Sequence, residues 1–338
     1  MPNLLRFLLP LFTLLLYLSC DTVERPDRWR EDPQRIVPRR NVLLVDFTGQ
    51  RCSNCPAASD LVRSLTGGAA GARIIPVAVH GGPLSLQSKS SPVGLANDDS
   101  RRLTDSAGVS SWPMGTVDRV GRGSLLRPAA WNTALADRLT LEADLPAQQS
   151  LTADAKVKLP ERTLTYSLQP RHLTRPDGTP DPDTYLHLWL VEDSIAAPQI
   201  LADGTEDARY LHRHVLRLNL TRDGAIRLPA PRAGSTAPAM ARPRVATAQS
   251  LSDTPHTLAA ASHPLRTIAA TAAAPGAVAD ALTGRIHGEI ALPVGFGLSA
   301  RFASSTRINF RRLTLIAFLT HGRSGEVRAV AASRVEVR

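Results

Sequence analysis

The stretch Val42 to Pro56, VLLVDFTGQRCSNCP, places the tightest constraint on this chain. An apolar run of strand length stops at Thr48-Gly49, a short polar turn follows, and Cys52-Ser53-Asn54-Cys55 opens a segment, Pro56 to Leu65, with helical patterning. Strand, turn, dithiol and helix follow one another directly. A thiol at a helix N-terminus meets oriented N–H groups and the positive end of the helix dipole, and both favour thiolate. Cys52 is the expected exposed attacker, with Cys55 as the partner that resolves a mixed disulfide. Asp46 lies inside the apolar run, where an acid is costly unless it has a task or a partner.

At 338 residues there is room for two domains, each with its own core. Aromatics make up only 4 %, so that core must rely on Leu, Val, Ile and Ala. The formal charge of +10 comes almost wholly from arginines dispersed among acids, with lysine only at Lys89, Lys156 and Lys158. No basic run is interleaved with aromatics, which argues against a nucleic-acid partner. A basic surface near anionic lipid is the milder interpretation.

The N-terminus carries Arg6, an apolar stretch Leu8 to Leu18 that is short for a bilayer span, and then Leu18-Ser19-Cys20. This resembles a bacterial lipoprotein signal over residues 1–19, cleaved before Cys20, whose thiol is then acylated. Membrane contact is therefore expected through lipid on Cys20. Lipidation would leave Cys52 and Cys55 as the only free cysteines of the three, in a compartment where disulfides persist. Residues 20–40, broken by Pro26, Pro33 and Pro38, read as a tether.

The expected first domain spans 41–143. Its helix stops at Gly67-Gly68, Ile74 to His80 is a second apolar run, and Asn97 caps a helix that Gly108 ends. Pro76 is awkward for a central strand. Pro128 to Leu141 carries Trp131, Leu135 and Leu139 at helical spacing. From 144 to 338 the pattern becomes alternating strands. They include Tyr185 to Val191, a hairpin from Val215 to Leu228 turned by Asp223-Gly224, and the pair Leu313 to Thr320 with Val327 to Val337. In the last strand Val327, Ala329, Ala331, Ser333, Val335 and Val337 share one face. An Ala/Pro/Thr-rich insertion at about 229–282, inside an aromatic-free span, interrupts this domain.

His212 and His214 stand two apart in an expected strand, which invites a metal, but no third ligand has recognisable spacing. His80 could approach the cysteines in a copper-type set, yet methionine neighbours are missing. Both are read as structural histidines, and no metal or cofactor is expected. The chain has no nucleophile elbow, Walker loop or dinucleotide fingerprint.

Val45-Asp46-Phe47, with the acid six residues before Cys52, resembles the thioredoxin family's strand and dithiol. Arg51 departs from that pattern, which has tryptophan there; a cation would further favour the Cys52 thiolate. The resemblance implies that Asp46 helps move the proton of Cys55. It also implies a cis-proline at Trp112-Pro113 facing the dithiol, with both residues forming a substrate groove.

Further strings, Trp189-Leu190-Val191-Glu192-Asp193, Gln199 and Tyr210-x-His212-x-His214-Val215-Leu216-Arg217, together resemble the Bacteroidota outer-membrane lipoprotein family related to the 28-kilodalton outer membrane protein. The likeness covers most of 41–228 and the final strands. It implies an α/β thioredoxin-like domain followed by an all-β sandwich-like domain at the outer membrane, on its periplasmic face or the cell surface. Thiol-disulfide exchange with protein partners is the leading expectation. The alternative is a non-enzymatic surface lipoprotein, serving adhesion or assembly, with a structural Cys52–Cys55 disulfide.

Overall fold

The computed structural model describes residues 40–85, 94–119, 125–140, 150–171, 183–221, 225–228, 278–279, 285–292, 308–322 and 325–338. The lipidation site, the tether except Arg40, and nearly all of the 229–282 insertion lie outside them. The apolar run forms β1 (Val42–Thr48), buried along its whole length. Next comes α1 (Cys55–Gly67), with Pro56 in its first turn, where a missing N–H costs nothing. β2 (Ile74–His80) then runs parallel to β1, placing Asp46 opposite Ala78 and Thr48 opposite His80.

α2 (Asp98–Ala107) begins at a reciprocal cap. Asn97 Oδ1 accepts the Ser100 N–H and Ser100 Oγ accepts the Asn97 N–H, each at 2.9 Å. Gly108, with φ of 69°, ends it. β3 (Met114–Val117) lies antiparallel on the other side of β1, Leu126 bridges Gly115, and α3 (Trp131–Thr140) buries Trp131 and Leu135.

The remaining strands are β4 (Ser150–Lys158), β5 (Thr163–Arg171), β6 (Thr184–Glu192), β7 (Ile195–Ile200), β8 (Glu206–His212), β9 (Val215–Asn219) and β10 (Ile226–Arg227). After them come β11 (Val278–Ala279), β12 (Ile286–Ala291), β13 (Leu313–His321), β14 (Val327–Arg334) and β15 (Glu336–Val337). The larger sheet is mixed and has the order β14-β13-β6-β9-β2-β1-β3, with β10 beside β6. A second sheet runs β11-β12-β5-β4-β15, and β7 and β8 form a hairpin of their own.

The larger sheet therefore runs through both halves of the sequence. β2 and β9 meet at one parallel rung, Ala78 opposite Val215, where the Ala78 N–H donates to the His214 carbonyl at 2.8 Å. Pro76 fits for the same reason. Its nitrogen shares the side of Ala78 that faces β9, and β9 does not reach that far, so no donor is needed there.

Side-chain alternation distributes the core. Leu186, Leu188 and Leu190 of β6 pack with Leu315, Leu319, Leu164 and Leu168 between the two sheets, while Trp189 and Val191 point to the opposite face, against Phe318 and Val79. Burying each such side chain contributes about 1.5–3 kcal/mol. In β1, Leu43, Val45 and Phe47 join that opposite cluster, whereas Val42 and Leu44 meet Ala58 and Val62 of α1 and Trp131 of α3.

Three strand expectations change. Val327 to Val337 is not one strand: β14 stays in the larger sheet beside β13, and β15 crosses to the second sheet beside β4. β9 and β10 do not pair as a hairpin: both lie antiparallel to β6, so the chain continues along one edge instead of folding back. Val327 leaves the face it was expected to share with Ala329, because the pairing register shifts between Leu319 and Thr320, and it packs with Val330 instead.

Candidate functional site

The turn after β1 is tied at both ends: the Cys52 N–H donates to the Gly49 carbonyl and the Cys55 N–H to the Cys52 carbonyl, each at 3.1 Å. Cys52 and Cys55 are joined as a disulfide, with Cα atoms 5.4 Å apart and Cys55 as the first residue of α1. Arg51 is anchored sideways, its N–H on the Leu84 carbonyl at 2.9 Å and its guanidinium on the Pro83 carbonyl at 2.6 Å. Position 49 is close-packed: a Cβ there would lie 3.0 Å from the Leu84 backbone, which would have to shift by a few tenths of an ångström.

The Trp112–Pro113 peptide bond is cis. The Trp112 ring lies over Gly82, whose φ is 72° and where any Cβ would stand 2.2 Å from the ring. A groove of about 350 Å³ runs past Trp112, Pro113, Asn54, Ala57 and Pro128. Of its lining residues, Asn54 lies between the two cysteines in sequence.

Cys52 is not the exposed sulfur the sequence suggested: it is 4 % exposed, and Cys55 is 1 %. Part of the cause is the β7–β8 hairpin, which lies against the turn. Gln199 Nε2 donates to the Cys52 carbonyl at 3.0 Å and to the Gly49 carbonyl at 3.4 Å. Gln50 Nε2 donates to the Pro198 carbonyl at 3.0 Å, the Ile200 N–H donates to the Gln50 carbonyl at 2.8 Å, and Gln50 Oε1 accepts the Leu95 N–H at 2.9 Å.

Asp46 points to the α1 side of the sheet. Its Oδ1 has no hydrogen-bond partner among the described residues, and burial alone pushes its carboxyl up to about 7. It lines a cavity of about 480 Å³ together with His80, Tyr210 and His212. His80 Nε2 lies 3.3 Å from His212 Nδ1. Burial, then the neighbouring His212 and Arg217, holds His80 well below the usual imidazole range. Burial likewise brings His212 down to about 4, so both rings are neutral at pH 7. The Tyr210 ring stands 4.9 Å from that of His212, and its hydroxyl, hydrogen-bonded with Ser59, is raised mainly by burial.

His214 does not share the face of His212: β8 ends at His212, and His214 turns the chain with φ of 53°. Among the described residues no cluster of three His, Cys, Asp or Glu side chains is arranged to hold a metal. The remaining members of the second-half strings also acquire places. Glu192 and Arg217, 3 % and 1 % exposed, form an ion pair at 3.2 Å on neighbouring strands. Burial pushes the Glu192 carboxyl up, against the pull of Arg217 and the Asn309 N–H.

Gln50, Tyr210 and the His80–His212 contact were not singled out from the sequence as one site. The available signal was His80, a polar side chain at the end of the otherwise apolar β2. What defines the class is a mixed, predominantly β protein with a C-x-x-C disulfide at a helix N-terminus. No protein-family model and no curated protein sequence matches the chain. Among solved structures it is similar to HBP35 of Porphyromonas gingivalis, with TM-score 0.50 and 14 % identity over 88 % of this chain and 76 % of that one. A domain of the outer membrane lipoprotein Omp28 from Porphyromonas gingivalis also aligns, with TM-score 0.27 and 9 % identity over 56 % of this chain and 90 % of that one. The first likeness speaks for the fold alone.

Proposed function

We propose that this chain is a lipid-anchored cell-envelope protein whose Cys52/Cys55 pair exchanges with thiols or disulfides of protein partners. The observation that carries this reading is the disulfide at the first residue of α1, above a strand that bears the unpaired, buried Asp46. The order β2-β1-β3, the Leu126 bridge beyond β3 and the cis Trp112–Pro113 bond support a thioredoxin-like unit, with the β-rich remainder serving to recruit or orient a partner. The segment ending at Cys20 supports the anchor, and the family resemblance favours the outer membrane.

In the reductive direction the Cys52 thiolate attacks one sulfur of a substrate disulfide, and the other leaves as a thiol after taking a proton. Cys55 gives its proton to the Asp46 carboxylate and attacks Cys52. That step restores the Cys52–Cys55 bond and releases the second substrate thiol, so two electrons have passed to the substrate. Trp112 and Pro113 border the groove along which the substrate backbone approaches. A carboxyl titrating at about 7 suits a proton acceptor at neutral pH.

The burial of both sulfurs favours a second reading, a structural staple in a non-enzymatic surface lipoprotein. A redox titration of the full chain in detergent, read by alkylation and mass analysis, separates the two. A reversible midpoint between about −120 and −270 mV places the pair among exchange catalysts; one below about −300 mV marks a staple. Under the exchange reading, Cys55→Ser traps mixed disulfides in cells and Cys52→Ser traps none.

A further inference from the structure

The β7–β8 hairpin comes from the half of the sequence that lacks the cysteines, yet it touches the dithiol turn at several points. Gln199 is central to this contact. Its side chain is 3 % exposed, and its amide nitrogen reaches the carbonyls of Cys52, Gly49 and Ile200 at 3.0, 3.4 and 2.9 Å. Gln50, from the turn itself, answers on the Pro198 carbonyl, and the Ile200 N–H returns to Gln50. Pulling this amide away from the turn is costly, because a buried side-chain donor would lose its acceptors at Cys52 and Gly49. The groove of about 350 Å³ past Trp112 and Pro113 is lined on the side of the turn by Asn54, the residue before Cys55, and by no residue of the hairpin.

We propose that Gln199 is a specificity-determining residue: it holds the hairpin against the Cys52 turn, so that the dithiol accepts disulfides of extended polypeptides through the Trp112–Pro113 groove and excludes small free disulfides. This rests on the exchange reading and names its substrate class. The hairpin is fastened to the backbone of Cys52 itself, and Cys52 is 4 % exposed. Gln199 acts through the turn and not on the reacting sulfurs, which makes it a positioning residue.

The test uses the full chain in detergent, reduced beforehand with a phosphine, and two probes: oxidised glutathione and insulin. In each case the protein dithiol is oxidised and one probe disulfide is reduced. The unmodified protein should reduce insulin faster than oxidised glutathione. Gln199→Ala should raise the glutathione rate about tenfold and leave the insulin rate within about twofold, the scale set by losing one hydrogen bond. Gln50→Ala, which loosens the same contact from the other side, should shift the ratio the same way; thermal melting checks that both variants fold. A glutathione-to-insulin ratio unchanged in both folded variants overturns the proposal. Iodoacetamide alkylation of reduced Cys52 is measured in parallel. If the unmodified protein reduces neither probe while Gln199→Ala still speeds alkylation, the exchange reading fails and the hairpin's cover over Cys52 stands.

Discussion

Two carboxyl groups are buried near opposite ends of β1, and their surroundings differ sharply. Near Leu43, Asp118 Oδ1 accepts the Leu43 N–H at 2.8 Å, and Oδ2 meets Arg40 at 2.8 Å and Arg138 at 3.0 Å. Arg138 also pairs with Glu326 at 2.9 Å, and Arg40 reaches the Val327 carbonyl at 2.6 Å. This acid is a joint that fastens β1 and the end of β3 to the start of β14. Burial still leaves its carboxyl above the usual range, although Arg40, the Leu43 N–H and Arg138 all pull it down. At the other end Asp46 is just as deeply enclosed and has no such attachments. A buried acid that fastens nothing together is a candidate for a functional, not a structural, role.

The largest predicted effect tests the joint. Asp118→Ala leaves two mostly buried guanidiniums without their shared anion and should cost about 3–5 kcal/mol in chemical denaturation at pH 7. Asp46→Asn should do the reverse. Because the folded-state pKa of Asp46 is raised, the native protein binds the extra proton between the unfolded value and about 7, and stability falls as pH rises through that window. The asparagine variant should therefore be more stable by about 2–4 kcal/mol at pH 8, show a flatter pH dependence and exchange disulfides more slowly. Stability lost in Asp46→Asn at pH 8 would break the contrast.

A smaller effect sharpens it within the cavity. His212 has a depressed pKa, so the unfolded chain binds its proton first, and stability falls as pH drops from about 6.5 towards 4. His212→Gln should remove about 2 kcal/mol of that acid loss, readable as a higher melting temperature at pH 5 relative to the unmodified protein.

These two ends of β1 also mark how far the sequence could be read. Local signals carried well: the apolar run of β1, the proline inside the first turn of α1, the Asn97 cap and the Gly108 stop are each decided within a few residues. What escaped reading depends on partners far away in the chain. The single rung between β2 and β9 fuses the halves into one sheet, yet Ala78 and Val215 carry no mark of it. The register shift that rotates Val327 lies in its pairing with β13, not in its own alternation. Gln199 read as one letter in a family string, and only the folded chain brings its amide to the carbonyl of Cys52. Period and capping specify how a segment folds, whereas which polar group meets which is settled by tertiary packing.

The hairpin contact also has a schedule. Gln199 and Cys52 are separated by 147 residues, and a ribosome makes the cysteines first. β1, α1 and β2 are complete in sequence long before the hairpin exists, and contacts that close so long a loop form late and slowly. During that interval the turn lacks its Gln199 cover, so a newborn chain should offer its thiols to oxidants more freely than the finished protein does. Pulse-labelling with an alkylating reagent would record this as a reactivity that declines with the age of the molecule.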